Sequence, residues 1–220
     1  MFSMRRLALA VVASFGFAMA GWSQGMMMRP PELPGKFNPV MGSGAAYQMT
    51  GKDGQVHNWE VAVVGKESVD GQECYWVEMR INSEDGKVVV KELKVYSASG
   101  ATAKRRIMQM AGQPPMEVPT DMGMMGGGPA AEAGHAPGDL GQLVGSESVT
   151  VPAGTFPCEH YRGTREGKTT DVWLTSKVTP FGLVKTTSLE SSGVLQKVLE
   201  NQKSQIQGEP QKMQFPGMPR

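Results

Sequence analysis

Chemistry in this chain has few places to start. Cys158 and His160 stand two apart, so on a strand both point to one side. That spacing fits a thiol–imidazole pair or half of a metal site. A nucleophile also needs a base held by an orienting group, and a structural zinc needs four ligands. The chain has only 2 Cys and 3 His, and nothing in the sequence brings His57 to that pair. No Gly-x-Ser-x-Gly elbow and no phosphate-binding glycine loop between a strand and a helix occurs, since Gly126-Gly127-Gly128 leads into no helix. The expectation is a protein that binds rather than catalyses, with no cofactor.

Methionine is the unusual residue. Of 17 in the chain, Met1, Met4 and Met19 fall in the first twenty residues. The rest include Met26-Met27-Met28, Met108-x-Met110 and Met122-x-Met124-Met125, with His135 after the last cluster. Thioethers are soft ligands suited to Cu(I), so Met122, Met124, Met125 and His135 form one candidate metal set. The alternative is that Met serves there as an adaptable apolar residue. Cys74 and Cys158 either form a disulfide that joins the two halves of the chain or pack as two separate buried thiols. Lys104-Arg105-Arg106 could meet a phosphate headgroup, although three charges more often mark a solvated strand edge.

The N-terminus bears on where these groups work. Arg5-Arg6 precedes an apolar run that ends at Ala18-Met19-Ala20, which has the basic, apolar and small-residue parts of a secretory signal peptide over residues 1–20. No cysteine follows for lipid attachment, and no later segment reaches membrane-spanning length. The expected location is therefore exported, periplasmic or secreted, and not integral to a membrane. Removing Arg5 and Arg6 from 22 basic residues leaves 20 against 21 acidic ones. A chain so close to neutral excludes nucleic acid as an electrostatic partner. The charge balance says nothing about oligomeric state.

The elements that must position these residues read as strands. Trp59, Val61 and Val63 alternate along one run. Tyr75, Val77, Met79 and Ile81 alternate along the next, with Glu78 and Arg80 on its opposite face. Asp53-Gly54, Asp70-Gly71 and Asp85-Gly86 separate such runs and favour tight hairpins. Further strands are expected over 87–96, 103–110, 142–151, 155–164, 169–176 and 181–189, with residues 194–206 either a last strand or the only helix. About nine or ten strands joined by short turns form an antiparallel meander. An extended Pro/Met-rich leader (21–43), a flexible Met/Gly-rich insertion (114–141) and a disordered tail (207–220) flank or interrupt a domain over 44–206. Val64-Gly65-Lys66-Glu67-Ser68-Val69 is echoed by Val144-Gly145-Ser146-Glu147-Ser148-Val149, each followed by a cysteine, as repeated hairpins in one curved sheet would give.

Residues 149–161 read Val-Thr-Val-Pro-Ala-Gly-Thr-Phe-Pro-Cys-Glu-His-Tyr. Together with Asp171-Val172-Trp173-Leu174 and Pro180-Phe181-Gly182-Leu183-Val184-Lys185, this segment resembles uncharacterised exported bacterial proteins similar to the periplasmic lipoprotein-carrier superfamily. The resemblance implies a mainly β fold: a single curved antiparallel sheet forming an unclosed half-barrel, with few or no helices. It also implies a concave side able to hold an apolar ligand, a lipid or the acyl chains of a lipoprotein. Trp59, Trp76 and Trp173 are then candidates to line that hollow. The chain differs from such carriers in its insertion and in lacking lid helices. Two alternatives stand beside this reading: a copper-binding protein, and a structural or interaction protein whose hollow is filled by its own segments.

Overall fold

The computed structural model describes residues 33–83, 86–97, 100–120, 140–165 and 167–212. The signal peptide and the Met122, Met124, Met125 and His135 set lie outside these residues. Among those described there is no α-helix, and no helix is long and apolar enough to cross a membrane.

Twelve strands form one sheet, curved into a half-barrel that hydrogen bonds do not close. In chain order they are β1 (Gly44–Gly51), β2 (Val56–Val69), β3 (Gln72–Ser83), β4 (Gly86–Ser97), β5 (Gly100–Met110), β6 (Met116–Val118), β7 (Gln142–Val151), β8 (Gly154–Arg165), β9 (Lys168–Leu174), β10 (Leu183–Ser188), β11 (Ser191–Leu199) and β12 (Gln211–Lys212). The spatial order is β12-β6-β5-β4-β3-β2-β1-β11-β10-β9-β8-β7, antiparallel throughout except where β12 runs parallel to β6. Two meanders, β1–β6 and β7–β11, meet where β1 pairs with β11.

Turn chemistry fixes the hairpins as the sequence suggests. At the β2–β3 turn Asp70 has φ 51° and Gly71 φ 74°, the pair of positive values that a tight hairpin turn demands of its two central residues. The internal echo has a structural meaning. In the β2–β3 pair the register shifts between Val63 and Gly65, and in the β7–β8 pair between Leu143 and Gly145. Each Val-Gly therefore carries a bulge on the first strand of a long hairpin, and a bulge bends and twists its strand. The cysteine of each second strand lies opposite the glutamate of the first, Cys74 across from Glu67 and Cys158 across from Glu147.

Alternation divides β1–β6 into two faces. Tyr47, Val61, Val77, Met79 and Ile81 face inward, in one core with Val151, Cys158, Val172, Leu174, Leu183 and Leu195 from the other meander. The chain's own segments complete this core. Leu33 is buried, and Phe37 stacks on Tyr96 with ring centroids 3.4 Å apart and also touches Phe181. The loop between β9 and β10 buries Val178 and Phe181 and is closed by the Thr175 N–H donating to the Gly182 carbonyl at 2.8 Å. Asn38 N–H donates to the Pro180 carbonyl, fastening the leader to that loop. Gly35 makes the approach possible: its φ is +150°, and a Cβ there would collide with the Phe181 carbonyl oxygen.

The outer face of β2–β5 is covered differently. Beyond β11 the chain turns at Asn201, φ 54°, and residues 202–210 cross that face without regular structure until β12 joins β6. Residues 194–206 are thus strand as far as Leu199 and an extended strap beyond it, not a helix. Residues 207–212, expected in a disordered tail, belong to this strap because Gln207 N–H donates to the Gln109 side chain and Gln211 N–H to the Pro115 carbonyl. The insertion expected over 114–141 is shorter than that reading: Met116–Val118 forms β6 and Leu140 is buried.

A fully buried ion pair anchors the strap. Arg80 Nε donates to Glu78 at 2.9 Å, one terminal nitrogen donates to Glu60 at 3.1 Å and Gln202 Oε1 at 2.7 Å, and the other to the Lys203 carbonyl at 2.9 Å. Glu78 in turn accepts from Ser204 Oγ at 2.6 Å and from the Gln205 N–H at 2.9 Å. Removing one partner of a buried pair leaves the other charge stranded, at a cost of about 3–5 kcal/mol. Arg80→Met is therefore expected to lower the free energy of urea unfolding by roughly that amount. In the same variant limited proteolysis should cut within residues 200–212, where the wild type resists.

Candidate functional site

The leader and the β9–β10 loop leave a cleft of ≈ 810 Å³ between themselves and the β7–β8 hairpin. Pro157, Leu174, Val178 and Phe181 give its lining apolar surface, and Lys36, Glu159 and Lys177 add charges of both signs; Cys158 and Glu147 also border it, although the register turns their side chains to the other face of the hairpin, with His160 and Trp173. The size lies within the range usual for small-molecule sites, about 300–1,000 Å³. β7 forms one wall because it is the last strand of the sheet and seven of its ten residues in succession are exposed.

The mouth is electrostatically ordered. Lys36 Nζ donates to Tyr161 Oη at 3.4 Å and pairs with Glu159 at 3.5 Å, and Tyr161 Oη donates to Glu159 at 2.7 Å. The hydrogen bonds to Tyr161 and the neighbouring ammonium hold the Glu159 carboxyl below its ordinary value, and Tyr161 is raised by the same carboxylate. Lys36 is raised by Tyr161 and Glu159. All these groups therefore keep their usual charge states at neutral pH.

The paired Cys158 and His160 do not work together. Burial, then the charge on Glu147, pushes the Cys158 thiol up, away from the thiolate form that attack would need. Its Sγ donates weakly to the Phe156 carbonyl at 3.5 Å. His160 turns to carboxylates instead: Nε2 lies 2.6 Å from Asp171 and Nδ1 3.5 Å from Glu147, with its ring stacked on Trp173 at 4.4 Å. Arg162, then His160, holds Asp171 below the normal carboxylate range. The disulfide between Cys74 and Cys158 is not made. Both thiols are buried and free, one in β3 and one in β8, with five strands between them in the sheet.

The three tryptophans are not brought together. Trp59 packs on the inner core. Trp76 lies on the outer face, bonded to Glu67 at 3.3 Å and covered by Lys91 and Arg105. Trp173 donates to Glu147 at 2.5 Å with Lys185 over its ring, on the face of the sheet opposite Leu174 and Glu159. Sequence reasoning missed Lys36, Glu159 and Tyr161, whose only signal is an i, i+2 pair and one isolated lysine. Among the described residues no group of three or more His, Cys, Asp and Glu side chains could hold a metal ion.

The inner face of β4 and β5 carries charge. Glu92, buried, pairs with Lys94 and with Arg106, each at 2.6 Å. Of the basic run Lys104-Arg105-Arg106, Arg106 thus points inward, Arg105 pairs with Glu117 on the outer face at 3.0 Å, and Lys104 is exposed.

No protein-family model matches the chain, and no curated protein matches it significantly. Among solved structures, one from Bacteroides fragilis, provisionally described as an exported protein with a YmcC-like fold, is 14% identical with a TM-score of 0.38. A provisionally described lipoprotein from Parabacteroides distasonis is 11% identical, also at 0.38. Each alignment covers 76% of this chain and 100% of the other. At that overlap the likeness carries no functional argument.

The Glu92 cluster gives a pH signature. Burial alone would raise this carboxyl, but Lys94 and Arg106 outweigh it and hold it below 4.5. A depressed carboxylate contributes stability above its unfolded value, and that contribution is lost as pH falls through the folded value. Glu92→Gln is expected to cost about 3 kcal/mol at pH 7. The variant should also show a flatter decline of stability below pH 4.5 than the wild type, measured by urea unfolding across the acid range.

Proposed function

We propose that this is an exported, non-enzymatic binding protein. It holds an apolar ligand with a polar end, such as a lipid or an acyl chain of a lipoprotein, in the cleft between the β7–β8 hairpin and the β9–β10 loop. One observation carries the reading: the ≈ 810 Å³ cleft is lined by apolar Pro157, Leu174, Val178 and Phe181 together with charged Lys36, Glu159 and Lys177. An alkyl chain on that floor is taken out of water, at roughly 0.8 kcal/mol for each buried CH₂. A polar head meets Lys36, Lys177 and Glu159. Export, to the periplasm or beyond, is supported by the Arg5 to Ala20 leader. The raised Cys158 thiol and the carboxylate-bound His160 support binding without catalysis.

We assign the ligand to the cleft because Leu33, Phe37, Val178 and Phe181 pack into the inner core. The same observation favours a second reading, a structural or interaction protein whose inner face is filled by its own chain. A fluorescent fatty acid separates the two. Uptake by the wild type, with displacement by unlabelled lipid, is the expected result. Ser148 lines the cleft from an exposed position of β7, so Ser148→Trp should block uptake while leaving the thermal midpoint within a few degrees. No uptake by the wild type would leave the self-filled reading in its place.

A further inference from the structure

We infer that the inner face of the sheet at its β5–β6 edge is a soft-metal site, taking Cu(I) on the thioethers of Met108, Met110 and Met116. The register makes the case. Met108 in β5 lies directly opposite Met116 in β6, and Met110 is the next residue of β5 on the same face. Directly opposed Cβ atoms in an antiparallel pair are about 4.5–5.5 Å apart, and diagonal neighbours lie within reach of long side chains. Methionine, unbranched and with three rotatable bonds, can turn its sulfur from either position toward a shared point. The register therefore puts all three thioethers within reach of one shared point.

The residue type at these positions is what a soft-metal site would require. Elsewhere on this face the strands carry Val77, Ile81, Val88 and Val90, as sheet packing favours, and one further thioether, the buried Met79, in the same cross-strand row as Met108. At the edge three neighbouring positions all carry a thioether. They are also reachable, since Met108 and Met116 are half-buried and Met110 is 39% exposed. The donor set chooses the ion: thioethers are soft and neutral, so Cu(I) suits them, whereas Mg²⁺, Ca²⁺ and Zn²⁺ want oxygen, imidazole or thiolate. The nearest cation, Arg106, is held to Glu92 at 2.6 Å, which offsets its charge. Binding here forms three S–Cu bonds and moves no electrons. The site stands apart from the cleft and does not depend on the reading given for it.

The experiment is an anaerobic competition for Cu(I) between the full chain and bicinchoninate. Three proteins are compared: wild type, the Met108→Leu/Met110→Leu/Met116→Leu variant, and a Met122→Leu/Met124→Leu/Met125→Leu variant. Leucine keeps apolar volume, so the fold should be retained. The expected result is that the wild type and the 122–125 variant withdraw Cu(I) from the competitor and the edge variant does not. Failure of the wild type to compete, or full retention by the edge variant, overturns the proposal. Should the edge variant fail to fold, methyl-labelled wild type titrated with Ag(I), a redox-inert stand-in, decides the question. The εCH₃ signals of Met108, Met110 and Met116 are expected to shift together; if they stay in place while others move, the site is elsewhere.

Discussion

Arg80 is the group on which the arrangement turns. A guanidinium at 1% exposure on a sheet face is tolerable only if its donors are used and its charge is met. The sheet supplies two of its partners, Glu78 and Glu60; Gln202 and the Lys203 carbonyl come from a segment more than a hundred residues away. The strap is therefore part of the sheet's chemistry. It also lies on the face that carries Val89, Leu93 and Ile107, all buried, which would otherwise meet water. Once this side of the sheet is covered, the remaining apolar surface lies on the inside of the curve.

There the same logic recurs with different material. The leader brings Leu33 and Phe37, the β9–β10 loop brings Val178 and Phe181, and Tyr47 spans the join by donating its hydroxyl to the Leu183 carbonyl at 3.0 Å. A half-barrel that packs its own segments in this way gives up a wide hollow for a stable core. What it keeps is the space the two segments do not reach, against an edge hairpin whose outer strand is free to solvent. That is why the charged part of the cleft's lining comes from distant stretches: Lys36 from the leader, Glu159 from the hairpin, Lys177 from the loop.

Local pattern carried much of this into the sequence, and long-range packing carried the rest. The run over 142–151 coincides with β7, and 87–96 differs from β4 by one residue at each end, because alternation and Gly-bearing turns act within a few residues. β1 is hard to read because it opens Gly44-Ala45-Ala46, residues of weak strand preference, of which Gly44 and Ala45 are buried between β2 and β11. β6 and β12 were hidden by neighbouring prolines; each is very short and lies at the margin of the sheet, where proline is tolerated. Glu78 and Arg80 were placed correctly on the face opposite Val77, yet their burial could not be read, since the strap that buries them follows β11. The Val-Gly echo was visible as letters, and its physical content, a bulge in each hairpin, needed the register. Of the candidate site, the sequence points to Cys158, which borders the cleft, but as a thiol that burial pushes up and not as a disulfide half or a nucleophile.

The measurement that bears most directly on the central claim is the native mass spectrum of the protein purified gently after export, without refolding. The account predicts mass in excess of the polypeptide, corresponding to a small apolar molecule with a polar end, and its loss on extraction with organic solvent. A bare polypeptide mass from freshly exported protein would contradict it, and would make the self-filled core the whole of what this fold does.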